Sequence, residues 1–131
     1  MVLYAHGVKA DDCDDTIEIM IAREAIIQGV SVDLALAVAE VESGFIPTAV
    51  GKKGEIGLFQ IMPYHASHAN GKSLHDIKSN IKVGVWLLKV SLDKCADMGK
   101  YAVICYNNGV NRRPKYPYLN NYYLKIAKAM G

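Results

Sequence analysis

Two carboxylates, Glu40 and Glu42, close an otherwise apolar run, Leu34-Ala35-Leu36-Ala37-Val38-Ala39-Glu40-Val41-Glu42. On a helix, at about 100° per residue, Glu42 projects beside Leu34, Ala35 and Val38, whereas Glu40 projects on the side of Asp33. A helix that is apolar nearly all round belongs in an interior. A carboxyl group among apolar neighbours resists ionisation and its pKa rises. That property suits a general acid working near neutral pH. The competing reading is a carboxylate at a helix C-terminus pointing into solvent. Glu55, the one acid in the loop that follows, is either a second carboxylate for the same chemistry or a solvated loop residue.

Other groups of reactive side chains carry less. His65, His68 and His75 resemble a metal cluster by composition, but no acid or cysteine stands at ligand spacing, so no metal and no cofactor is expected. His6 stands alone. Cys13, Cys95 and Cys105 form an odd set with neither zinc nor CxxC spacing. One disulfide is possible and its pairing is open, while Cys105, in the apolar run Ala102–Tyr106, fits a small core residue. Arg112, Arg113 and Lys115 beside Tyr116 and Tyr118 form a basic-aromatic patch that suits nucleic acid or the carboxylates and rings of another polymer. The second reading is preferred, with no nucleic-acid partner expected.

The elements that must position these groups are helical. Asp14 or Asp15 can cap a first helix bearing Ile17, Met20, Ile21 and Ala25 and ending at Gln28-Gly29. Ser31 can cap the second, Val32 to Glu42, which Gly44 and Pro47 end. Residues 44–57, with Gly44, Pro47, Gly51, Gly54 and Gly57, form a loop. A short apolar helix is expected over Leu58 to Met62, and a short helix and a turn around Asn70-Gly71 over 64–77. The longest helix is expected from Ser79 to Cys95, with Ile81, Val85, Leu88 and Leu92 as its apolar stripe and Lys78, Lys82, Lys89 and Asp93 as its polar one. A helix over Lys100 to Tyr106, a loop over Asn111–Pro117 and a last helix from Tyr118 to Ala129 complete a mainly α fold.

Against that layout, residues 34–63 resemble the soluble lytic transglycosylase family, which shares its fold with goose-type lysozyme. The family's Glu-Ser-Gly-aromatic block stands here as Glu42-Ser43-Gly44-Phe45. Its Gly-Leu-Met-Gln-x-Met-Pro block stands as Gly57-Leu58-Phe59-Gln60-Ile61-Met62-Pro63, with Pro47 between them. Asn80-Ile81 with Gly84, Tyr106-Asn107-Asn108-Gly109, and Asn121-Tyr122 with Lys125-Ile126 resemble three further blocks in the family's order. The resemblance covers roughly residues 30–128 and implies a lysozyme-like helical domain with a substrate cleft.

The resemblance also implies a function. Glu42 becomes the sole catalytic acid/base of an enzyme cleaving the β-1,4 bond between N-acetylmuramic acid and N-acetylglucosamine in peptidoglycan, leaving a 1,6-anhydro product. Gln60 and Met62 match residues lining the cleft around the acetamido sugar. Tyr106 matches a tyrosine whose hydroxyl orients the glutamate, and Asn107 and Tyr122 match the cleft wall. Ser43 touches substrate or caps its helix. The chain departs from the pattern at Gly51, where serine is frequent, at Phe59, where methionine is usual, and at Tyr118, where many members have glutamate. Goose-type lysozymes carry acids aligned with Gly51 and Met62, and neither is acidic here. A hydrolytic muramidase of the same fold and an inactive glycan-binding module are the alternatives.

Composition sets the outer limits. With 131 residues, 51% of them hydrophobic and 21% charged, one globular domain over residues 1–131 is expected and wholesale disorder is excluded. No stretch is long and apolar enough to span a membrane, so stable membrane insertion is not expected, and the domain is read as a monomer. Residues 1–66 hold ten acids and four bases, a net of −6, and the remainder holds three acids and eleven bases, a net of +8. That asymmetry fits an anionic polymer or a plain solvated surface. Met1 to Asp15 lacks the basic flank and apolar core of a secretory signal. The expectation is a protein made in the cytoplasm without a signal, or one already trimmed, acting on the cell wall in the periplasm and delivered by a bacteriophage.

Overall fold

The computed structural model describes residues 15–131. Five α-helices form its framework: α1 (Ile17–Gln28), α2 (Val32–Ser43), α3 (Ile77–Lys94), α4 (Ile104–Asn108) and α5 (Asn121–Ala129). Short 3-10 helices at Pro63–Ala69, Ala96–Tyr101 and Pro117–Leu119 join them. The mainly α architecture expected from the sequence is the one observed. Among the described residues no helix is long and apolar enough to cross a membrane.

Helix α2 lies at the centre, against α1 on one side and α5 on the other, and α3 packs against α1 and α4. Ala35, Ala37, Val38 and Ala39 of α2 are buried. Short side chains let neighbouring helices approach closely, so a helix of alanines and valines suits this central place. Ile21 and Ala25 of α1, Ile81, Val85 and Leu88 of α3, and Ile126 of α5 complete the same buried cluster. The stripe read on α3 is therefore its core face, with Leu92 half-buried at its end.

Three local expectations change. The cap of α1 is Thr16, whose hydroxyl accepts from the amide of Ile19, while Asp15 pairs with Arg23 at 2.7 Å; Asp14 lies outside the described residues. Helix α3 begins two residues early, because the carboxylate of Asp76 accepts from the amide of Ser79. The expected helix over Lys100 to Tyr106 starts as the end of the 3-10 helix Ala96–Tyr101 and is α-helical only from Ile104, while Gly99 (φ 57°, ψ −130°) breaks the helical path just before it. The chain resumes as α4 and stops at Gly109.

The largest change concerns Leu58 to Met62, which is a tight turn rather than a helix. Ile56 and Ile61 exchange both backbone hydrogen bonds, at 2.9 and 3.0 Å. Gly57 (φ 73°) and Gln60 (φ 48°) supply the left-handed residues that reverse the chain. Leu58, Phe59 and Ile61 are buried, so the apolar run reflects burial, and a run this short does not separate helix from turn.

Helix α3 holds this turn in place. The side chain of Asn80, fully buried, accepts from the amide of Phe59 at 3.0 Å and donates to the carbonyls of Ile56 and Leu74, both at 2.9 Å. One turn later Gly84 receives the Phe59 ring, and a methyl group there would overlap the ring. Phe59 is thus a core residue and not part of the cleft surface.

Cys95 and Cys105 form a disulfide that ties the end of α3 to α4. Both are buried with Ala102. The core environment expected for Cys105 is present, but the residue is bonded. Cys13 lies outside the described residues.

Asn80→Ala removes three buried hydrogen bonds at once and leaves their backbone partners unpaired. It should lower the unfolding free energy by about 2–4 kcal/mol, measurable by chemical denaturation. A loss of less than half of one kcal/mol would mean that the turn holds itself.

Candidate active site

Glu42 sits in the last turn of α2, where Gly44 in a left-handed conformation (φ 62°) accepts the turn out of the helix. Its carboxyl group lines a cleft of about 780 Å³. The turn after Gly57 contributes Gln60, Ile61 and Met62 to one wall, and α3 contributes Leu87, Val90 and Ser91. Tyr106, Asn107 and Asn108 come from α4, and Arg112 from the loop beyond it.

The hydroxyl of Tyr122, from α5, donates to Glu42 Oε2 at 2.9 Å. Burial is the main influence on Glu42 and pushes its pKa up to about 7. The Tyr122 hydrogen bond opposes that rise by stabilising the ionised form, and the negative charge of Glu55 adds to it. Glu42 therefore exchanges its proton in the neutral range. Glu40, two residues earlier, is exposed.

The site residues read from the sequence divide into two groups. Gln60, Met62, Tyr106 and Asn107 meet at the cleft with Glu42. Ser43 and Tyr122 do not line it. Ser43 is buried, and its hydroxyl donates to the carbonyl of Ala39 at 3.0 Å, which leaves no proton for a substrate. Tyr122 is buried behind Glu42.

The two tyrosines also exchange their expected parts. The Tyr106 hydroxyl donates to the carbonyl of Phe59 at 2.6 Å, so it braces the turn instead of orienting the carboxyl group. Burial and the charge of Glu42 hold both tyrosine hydroxyls above their ordinary pKa, so both stay protonated and remain donors. Gln60 is partly committed to structure as well, since its amide donates to the carbonyls of Ala49 (3.2 Å) and Gly57 (2.9 Å).

Glu55 lines the cleft, and one of its carboxylate oxygens accepts from the amide of Lys53 at 2.8 Å. A side chain at Gly51 would overlap the Glu55 carboxylate and press on the Gln60 amide. The glycine that departs from the family pattern thus makes room for Glu55.

Sequence reasoning missed the contribution of α3. Leu87 and Val90 are apolar but lie off the core stripe, and that second, weaker apolar face was the available signal. It also missed Lys53, Tyr64 and His65, which lie at the cleft. Of the basic-aromatic patch, Arg112 reaches the cleft, while Arg113 is tied to Asp97 at 2.6 Å and Lys115 lies over the Tyr116 ring.

The site is thus a carboxyl group raised to the neutral range at the wall of a cleft in a mostly helical fold. Residues 19–126 match the family model of the Transglycosylase SLT domain. The chain belongs to that family. Its fold is similar to that of an inactive mutant of the lytic transglycosylase Slt from Pseudomonas aeruginosa, with a TM-score of 0.64 and 20% identity over 85% of this chain. The match spans 21% of the Slt chain, about a fifth of its length.

The raised pKa has a stability consequence. Between about 4.5 and 7 the unfolded chain is ionised at Glu42 while the folded one holds its proton, so stability falls as pH rises through that window. Glu42→Gln keeps an acceptor for Tyr122 and has no charge to bury. It should be more stable than the parent at pH 8, by on the order of 2 kcal/mol, and no more stable at pH 4. Thermal melts of both proteins across that range check this.

Proposed function

We propose that the domain is a peptidoglycan lytic transglycosylase that cleaves the β-1,4 bond between N-acetylmuramic acid and N-acetylglucosamine. The observation that carries this reading is a single carboxyl group, Glu42, raised to about 7 and held by Tyr122 at the wall of the cleft. Membership of the Transglycosylase SLT domain family supports it.

In this reading protonated Glu42 donates to the leaving glycosidic oxygen as the C1–O bond breaks. The acetamido oxygen of the muramyl sugar shares the positive charge that develops at C1. The N-acetylglucosamine portion departs with a hydroxyl group. Ionised Glu42 then takes the proton of the C6 hydroxyl, whose oxygen bonds to C1 and closes the 1,6-anhydro ring. Glu42 ends protonated, as it began, and no water is consumed. Two-carboxylate glycosidases need their second group for water or as nucleophile, and an internal hydroxyl removes that need. A pKa near 7 suits both halves of the cycle, because the same group must give and recover a proton. Tyr122 makes ionised Glu42 less costly in the second half.

The position of Glu55 favours one second reading, a muramidase that admits water. Its carboxylate lies at the cleft and its charge acts on Glu42.

Mass spectrometry of digested peptidoglycan separates the two. Anhydromuramyl products, their loss by at least a thousandfold in Glu42→Gln, and their persistence in Glu55→Gln are expected. Reducing-end products that disappear in Glu55→Gln would replace the first reading with the second.

A further inference from the structure

A row of aromatic rings leaves the cleft along the 3-10 helix Pro63–Ala69. Tyr64 and His65 stand at the rim of the cleft. Their ring centroids are 4.4 Å apart, His65 lies 5.5 Å from His68, and His68 lies 4.6 Å from Trp86 of α3. The row is continuous, and its outer members face water, with Tyr64 72% and Trp86 39% exposed.

The core does not account for this exposure. Trp86 lies on the side of α3 away from the stripe Ile81, Val85 and Leu88. Its helical neighbour four residues on, Val90, is part of the cleft wall. On its other side stand Lys82 and Lys89, four residues before and three after. Both are exposed, and neither takes part in an ion pair among the described residues. Exposed aromatic faces in a row that continues from a cleft are suited to an interaction site.

We infer that the row Tyr64, His65, His68 and Trp86 is an outer binding track for the glycan strand, carrying sugars that lie beyond the pair being cleaved. It rests on the proposed substrate. The chemistry matches that substrate on three counts. The C–H faces of pyranose rings stack on flat aromatic surfaces. Tyrosine, histidine and tryptophan also offer polar edges to hydroxyl and acetamido groups. Lys82 and Lys89 can meet the lactyl and peptide carboxylates that a wall glycan carries and a plain N-acetylglucosamine polymer lacks. The track is a run of separate ring faces, suited to a linear polymer that enters from the cleft.

Trp86 is the only tryptophan in the chain, so its fluorescence reports on the outer end of the track. The test uses full-length Glu42→Gln, which holds strands without cutting them. The probes are purified sacculi, soluble uncross-linked glycan strands, and the disaccharide of N-acetylglucosamine and N-acetylmuramic acid. Long strands should shift or quench Trp86 emission, and the disaccharide should not. Adding His68→Ala and Trp86→Ala to Glu42→Gln should weaken sedimentation with sacculi at least tenfold, with the melting temperature within a few degrees of the parent. Saturating binding of long strands with no change in Trp86 emission would overturn the track while leaving the proposed function standing. A Glu42→Gln protein that binds neither sacculi nor strands, with a parent that cleaves neither, would remove both.

Discussion

The hydroxyl of Tyr122 reaches the Glu42 carboxyl group from a residue eighty positions further along the chain. This contact sets the terms for the rest of the site. Burial alone would keep Glu42 protonated and leave it a poor base; full solvation would return it to the ordinary carboxylate range and leave it a poor acid. The carboxyl group is half-buried where α2 packs against α5, and the tyrosine supplies a donor that keeps its ionised form within reach. Helices α2 and α5 must therefore pack in a fixed register. Tyr122 and Ile126, one turn apart on α5, bury the face that fixes it.

The second support is the buried amide of Asn80. It gathers Phe59, Ile56 and Leu74 around the start of α3, and Gly84 admits the Phe59 ring below it. The turn held in this way carries Gln60 and Met62 into the cleft and offers the Phe59 carbonyl to Tyr106. A polar cluster with all its partners satisfied, buried in an apolar setting, tolerates little movement. The wall that carries Gln60 and Met62 is anchored in this way. The Cys95–Cys105 disulfide performs a similar service for α4, which brings Tyr106 and Asn107 to the cleft.

Much of this was legible in the sequence because it depends on local patterns. The ends of α1 and α2 follow from Gly29, Ser31 and Gly44, and the core face of α3 follows from its stripe. The placement of Glu42 among apolar neighbours follows from the spacing within one helix. What was not legible depends on contacts between distant residues. Whether Tyr106 or Tyr122 meets the carboxyl group is decided by the packing of α4 and α5, and no periodicity encodes it. Whether Ser43 faces substrate is decided by a hydrogen bond back along its own helix. The run Leu58 to Met62 is apolar in a turn as it would be in a helix, and only its pairing with Ile56 separates the two. Glu55 came to the cleft through the absent side chain of Gly51, a relation between two loop positions that neither residue reveals by itself.

In the proposed reaction one carboxyl group, kept half out of water, gives and recovers the proton. The most direct measurement is the titration of the Glu42 side-chain carboxyl carbon by NMR in the intact protein and in Tyr122→Phe. A midpoint near 7 is expected in the parent, and a higher one once the hydrogen bond that favours the ionised form is removed. A midpoint near the ordinary glutamate value of about 4.3, unmoved by the loss of the tyrosine hydroxyl, would contradict it.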